Sequence, residues 1–230
     1  MISVNDFEAQ WLEDIEIGAP SSTMKGHRFA QKILRDWLGL DADTVEVIYC
    51  DGAGDGGIDA AVFIPHDAEE DAEGDTWMLV QSKYGSAFRG ADTLFTEAEK
   101  VFATLEGKRE NLSSLSESLV KRIRQFLSQV GAKDRLEYVV ATNQRLSPAE
   151  YDDLEAIRRI GQEKFGAAFH AVDVSIESIY NKRLEGDKWR QSVEGAVANH
   201  HRQFRQHLVC GRDKVGRHFR LHAGLQEEQW

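Results

Sequence analysis

Apolar positions recur along this chain with two periods, and the order in which those periods alternate predicts its elements. Phe7, Trp11 and Ile15 repeat at i, i+4 and i+8, the stripe of a first helix that Asn5 or Asp6 would cap. Ser21-Ser22-Thr23 opens a second helix, with Phe29, Ile33, Leu34, Trp37 and Leu38 facing inward and Gly39 just past its end. Residues 44–50, 58–64 and 76–84 are short, rich in Val, Ile, Thr and aromatic residues, and separated by turn residues, so they read as strands. Helical spacing returns over residues 91–105 (Leu94, Phe95, Ala98, Val101, Phe102, Leu105) and 113–130 (Leu115, Leu119, Ile123, Phe126, Leu127, Val130). Residues 135–142 form a fourth strand. Ser147-Pro148-Ala149-Glu150 is a capping box with proline at the first helical position, opening a helix to about Phe165. Residues 167–174 are a fifth strand, after which Ser175 caps a short helix through Leu184.

Three strands in succession and then two reached through helices predict an antiparallel meander followed by crossovers: an α/β fold with a mixed sheet flanked by helices. No internal repeat is present. The punctuation divides the chain into an N-terminal helical extension (1–22), a main domain (23–185) and a C-terminal part (186–230) made of one more helix, 187–208, and a basic, His-rich tail.

Composition narrows the class. With 230 residues, 41% hydrophobic and 29% charged, the chain can bury a core, and its longest apolar runs fall far short of the roughly 18 residues of a membrane helix. The start, Met1-Ile-Ser-Val-Asn-Asp-Phe-Glu, has neither a basic nor an apolar leader region, and two cysteines, Cys50 and Cys210, make no disulfide framework; a reducing cytoplasm is the expected setting. Cys50, ending a strand-like stretch, reads as a small buried hydrophobe.

The net charge of −11 is unevenly spread: Asp67, Glu69, Glu70, Asp71, Glu73 and Asp75 crowd one loop, while basic residues gather at Lys121, Arg122 and Arg124, at Arg158 and Arg159, at Lys182 and Arg183, and in the tail. Local faces decide polyanion binding, so acidity does not exclude a nucleic acid. The tail histidines, His200, His201, His207, His218 and His222, lack the spacing of a zinc site.

The chemistry concentrates in Gly54-Asp55-Gly56-Gly57-Ile58-Asp59 and Gln81-Ser82-Lys83. The second and third strands are joined by the acidic loop and most simply pair as a hairpin. Alternation puts Leu79, Gln81 and Lys83 on one face and Met78, Val80 and Ser82 on the other. Asp59 joins Gln81 and Lys83 only in a register that sets it opposite one of them; a slip of one residue turns it away. An amide and an ammonium in an otherwise buried strand need partners. A carboxylate with a divalent cation and a phosphate would meet that need; so would a plain Asp59–Lys83 ion pair.

The run G-D-G-G-I-D, a strand, a variable loop and then Q-S-K-Y resembles the Mrr-like branch of the PD-(D/E)XK nuclease superfamily. It is more closely similar to the N-terminal nuclease region of the abortive-infection phage-resistance proteins, which keep a D…QxK form of the signature. The resemblance covers residues 23–184. It implies a restriction-endonuclease-like αβββαβ core, here with an N-terminal helical extension and a C-terminal helix. It further implies Asp59, Gln81 and Lys83 as catalytic residues, with Asp59 and Gln81, and Asp55 in addition, facing Mg²⁺ or Mn²⁺. Lys83 would orient the attacking water or stabilise the phosphate, and Asp55, Gly56 and Gly57 would form an approach loop.

The function so implied is DNA phosphodiester hydrolysis in restriction or abortive-infection defence. DNA is the partner, joined by defence subunits or a second copy of the chain, with no membrane. Two departures stand out. Gln81 replaces an acid, and the helix before the first strand offers Ala30 and Gln31 where such nucleases often carry one, with Glu13 or Glu16 of the first helix as substitutes. They sustain an alternative: an inactive nucleic-acid-binding or interaction module on the same fold. A calcium loop starting at Asp51 is set aside because Ala53 and Val62 stand where ligands are required. No phosphate-cradling GxxxxGKS or GxxxxGKT and no nucleophile elbow is present.

Overall fold

A computed structural model describes residues 3–18, 20–38, 46–50, 52–66, 74–85 and 93–185. The expected helix 187–208, the tail and most of the acidic loop lie outside the described residues. The chain divides at Arg183, and all but the last two described residues belong to the compact unit Met1–Arg183. Two helices come first, α1 (Val4–Glu16) and α2 (Ser22–Leu38), followed by β1 (Val47–Tyr49), β2 (Ala60–Ile64) and β3 (Thr76–Lys83). Helices α3 (Thr93–Glu106) and α4 (Ser114–Leu127) lead to β4 (Arg135–Thr142), α5 (Pro148–Phe165), β5 (Phe169–Ser175) and α6 (residues 176–185). Among the described residues no helix is long and apolar enough to cross a membrane.

The five strands form one sheet in the order β1-β2-β3-β4-β5. β1–β2 and β2–β3 are antiparallel, whereas β3–β4 and β4–β5 are parallel, so the meander and crossovers read from the sequence are both present. Alternation along β3 sorts two apolar cores. Trp77 and Leu79 meet Leu94, Ala98 and Val101 of α3, Leu119 and Ile123 of α4, and Leu154 and Ile157 of α5. Met78 and Val80 meet Phe7, Trp11 and Ile15 of α1, Phe29 and Ile33 of α2, and Ile176 and Ile179 of α6. Both faces of the sheet are thus covered, which is why β3 reads as an almost unbroken apolar run.

Caps behave as side-chain chemistry requires. Ser147 and Glu150 close the capping box of α5. Ser178 donates its N–H to Ser175 Oγ at the start of α6. Ser3 caps α1, two residues before the nearer expected cap, Asn5. Leu115 was expected in the core and is 47% exposed. Ser116 turns inward instead, because the first turn of α4 packs on the loop after β1. There Ser113 N–H donates to Gly54 O at 3.0 Å and the Ser116 hydroxyl reaches the buried Cys50 thiol. Burial pushes that thiol pKa up, which suits an inert, packed cysteine.

The glycine-rich loop corrects another expectation. Gly56 and Gly57 do not open the backbone to a polyanion; both are buried, with φ of +75° and +84°. A Cβ on Gly56 would come within 2.7 Å of Thr104 Cγ2, and one on Gly57 within 2.9 Å of Lys100 Cβ. Glycine is required because the loop lies flat on α3, where Thr104 Oγ1 donates to Gly56 O at 2.6 Å.

Candidate active site

The β2–β3 register sets Ala60 opposite Val80, so Asp59, one residue before β2, stands opposite Gln81, one of the two arrangements the site needs. The ladder breaks at this position. Asp59 N–H donates to Val80 O at 2.9 Å instead of to Gln81, while its carbonyl accepts from Cys50 N–H at 2.9 Å. The carboxylate then serves as a strand partner: Oδ2 accepts from Ser82 N–H at 2.6 Å, Ser82 Oγ at 2.9 Å and Gln81 Nε2 at 3.2 Å. Gln81 lies on the α3 face and Ser82 on the α2 face, so Asp59 sits at the strand end and serves both sides. Its Oδ1 carries no hydrogen bond among the described residues.

Burial raises the Asp59 pKa above its ordinary value. The two Ser82 bonds and the Lys83 charge oppose that rise, and the Asp55 charge adds to it. Asp59 and Ser82 open onto a cavity of about 160 Å³ whose other walls are Thr23 and His27 of α2 and Tyr49 of β1. Gly26 and Ala30 leave the room for it. That volume holds ~5 waters at about 30 Å³ each.

Gln81 is 2% exposed, and its buried Oε1 has no hydrogen-bond partner among the described residues. Lys83 is within electrostatic reach of Asp59, but its Nζ lies 3.7 Å from Glu97 Oε1 of α3, which Lys100 Nζ also contacts at 2.9 Å. Lys83 therefore pairs with Glu97, and the plain Asp59–Lys83 ion pair is not formed. Asp55 does not line the cavity; its Oδ1 accepts from Gly57 N–H at 2.7 Å and closes the turn. Of the substitutes for a helix acid, Glu13 is exposed, and Glu16 is engaged by Lys25 and by Tyr84 Oη at 2.5 Å, which with burial pushes the tyrosine pKa up to about 12.

Several participants were not singled out from the sequence. Thr23, Gly26, His27 and Ala30 follow the i, i+3, i+4, i+7 rule, so a second stripe of small and polar residues beside the apolar stripe of α2 was there to be read. Glu97 is an acid between Leu94 and Ala98 on a core-facing stripe. Tyr138 of β4 is fully buried, its hydroxyl has no partner among the described residues, and burial together with the Glu97 and Asp59 charges raises its pKa. Removing that hydroxyl removes an uncompensated desolvation cost of about 1–3 kcal/mol. Tyr138→Phe is therefore expected to unfold at higher urea than the wild type, and an unchanged or lower midpoint would show that the hydroxyl is satisfied in solution.

Mg²⁺ prefers oxygen donors and keeps several waters, so one or two protein ligands suffice. Among the described residues no three of His, Cys, Asp and Glu group around a potential ion. The partly open carboxylate of Asp59 is one such donor; Gln81 turns its NH₂ to that carboxylate, and its buried oxygen does not line the cavity. No protein-family model matches this chain, and neither a curated protein nor a solved structure matches it significantly.

Proposed function

We propose that this protein is a metal-dependent endonuclease hydrolysing DNA phosphodiester bonds, on a restriction-endonuclease-like core, and that it serves restriction or abortive-infection defence. One observation carries the reading: the strand register joins Asp59 to the Gln81-Ser82-Lys83 segment at the open end of the sheet, beside a cavity, as the resemblance of these motifs to D…QxK nucleases requires.

Asp59 and Gln81 would hold the cation, Gln81 once its amide turns to present the oxygen, which has no partner among the described residues, in place of the NH₂ that now faces Asp59. Bound Mg²⁺ or Mn²⁺ supplies Lewis acidity, lowering the pKa of a water and neutralising phosphate charge. Ser82 fixes the Asp59 carboxylate with two hydrogen bonds, so little reorganisation is needed. Lys83, held loosely at 3.7 Å by Glu97, presents a positive charge that a phosphate oxygen can draw away from that acid. Glu97 positions Lys83 until then.

A second reading, the inactive module, is favoured by a different observation: Gln81 offers Asp59 its NH₂ group, and Lys83 is already paired. Supercoiled plasmid incubated with the protein separates the two. In Mn²⁺ or Mg²⁺ the wild type is expected to nick and linearise it, and in EDTA it is not. Lys83→Ala, folded as judged by thermal unfolding, is expected to lose activity by ~10²–10³-fold. Nicking by Lys83→Ala at the wild-type rate would remove Lys83 from the mechanism, and an inert wild type in every metal leaves the module.

A further inference from the structure

We infer that Lys100 is a positioning residue: it neutralises Glu97 and so leaves Lys83 free to turn to a phosphate oxygen. The inference rests on the nuclease reading only in taking Lys83 as the group that meets the phosphate. Two cations share one oxygen here, and they share it unequally. Lys100 Nζ donates to Glu97 Oε1 at 2.9 Å. Lys83 Nζ lies 3.7 Å from the same atom, beyond hydrogen-bond length. The lysine nearer the candidate site is therefore the one held less.

Glu97 needs a cation. Its side chain is 12% exposed, and its charge acts on the buried Tyr138 hydroxyl. Leaving a carboxylate buried this far without a counter-charge is strongly unfavourable. If Lys83 were its sole partner, drawing Lys83 to a phosphate would strand the acid, and Lys83 would stay. Lys100 removes that cost because it remains when Lys83 leaves.

Chain geometry makes Lys100 the partner that stays. It follows Glu97 by three residues on α3, so the pair lies within one helical turn, whereas Lys83 reaches across from β3. The glycine-rich loop steadies that turn. Gly57 lies against the Lys100 stem, where a Cβ would come within 2.9 Å of Lys100 Cβ. Thr104 Oγ1, bonded to Gly56 O at 2.6 Å, also reaches Lys100 O at 2.9 Å. A loop that does not cradle a ligand thus backs the residue that releases one.

The test acetylates the full, metal-free chain with limiting acetic anhydride and follows Lys83 by peptide mass spectrometry, with plasmid nicking in Mn²⁺ as the second readout. Thermal unfolding establishes that each variant is folded. In Lys100→Met, Glu97 is expected to capture Lys83 in a charge-assisted hydrogen bond, slowing both Lys83 acetylation and nicking by ~10-fold. Lys100→Arg keeps the cation and is expected to acetylate at the wild-type rate. Adding Glu97→Gln to Lys100→Met removes the captor, and should return Lys83 acetylation to at least the wild-type rate and recover most of the nicking. A merely structural Lys100 would not be rescued by the loss of its partner. Wild-type acetylation of Lys83 in Lys100→Met, or slow acetylation persisting in the double variant, would overturn the inference. So would slower acetylation of Lys83 in Glu97→Gln alone, a variant that leaves Lys100 in place. The expected acetylation pattern in a protein that nicks nothing in any metal would uphold the release of Lys83 and remove the nuclease reading.

Discussion

Asp59→Asn is expected to abolish metal-dependent cleavage, by ~10³-fold or more, and to make the metal-free protein more stable at neutral pH. The two effects have one cause. Burial raises the Asp59 pKa from its ordinary 3.8, so the folded state holds the proton more tightly than the unfolded chain does. Between the ordinary and the raised value the native state binds more protons, and stability falls as pH rises through that window. The stabilisation that Asp59 contributes is complete below pH 3.8 and lost above its folded-state pKa. Asn removes the charge that must be buried while its side-chain oxygen still accepts from Ser82.

Urea unfolding of both proteins across pH should therefore show the variant ahead at pH 7, with the gap closing towards the ordinary carboxylate pKa. A wild type that is more stable than the variant at pH 7 without metal would refute the assignment of burial as the dominant influence. Saturating divalent cation should reverse the order. Ligand binding to the native state alone stabilises it by about 2.7 kcal/mol at 100 times Kd, and the variant has lost the ligand that earns this gain.

Gly161→Ala is expected to destabilise the fold by about 2 kcal/mol or more, although alanine is the better helix former. A Cβ at this position of α5 would fall 2.1 Å from Phe169 Cε1 and 2.2 Å from Cδ1. Phe169 is fully buried on β5, with its ring against Phe102 and Phe165 at 5.5 and 5.8 Å, so it has nowhere to retreat. The helix gains about 1 kcal/mol from the substitution, and overpacking costs more. In a domain of this size the net loss should lower Tm by roughly 4–8 °C. The folded fraction should keep its cleavage rate, because α5 packs on the α3 face away from the cavity. A Tm at or above the wild-type value would mean that α5 has slack against β5.

The elements themselves were largely legible. The apolar stripe of α1, the alternation in β3, the capping box of α5 and the bounds of β4 follow from local rules of period, capping and turn chemistry that need no knowledge of the rest of the chain. The misreadings share one source. Leu115 lies one helical repeat before Leu119 and by period belongs inside, yet the loop after β1 presents Gly54 and Cys50 to that turn and so selects Ser116. Gly56 and Gly57 have the composition of a ligand-cradling loop, yet α3 occupies the space a ligand would need. In each case the neighbour comes from a distant part of the chain.

Alternation along a strand is a property of the backbone, so the residues from Trp77 to Lys83 on their own decide that Gln81 and Lys83 share a face, and the acidic loop between two apolar runs makes the hairpin that carries Asp59 to them. The outcome at that meeting point was settled by packing. The broken ladder gave the carboxylate to Ser82 as well as Gln81, α3 brought Glu97 to Lys83, and α2 walled the cavity with His27. Each is a contact between different elements, whose geometry depends on how two covered faces of a twisted sheet fit their helices, and no local period encodes that.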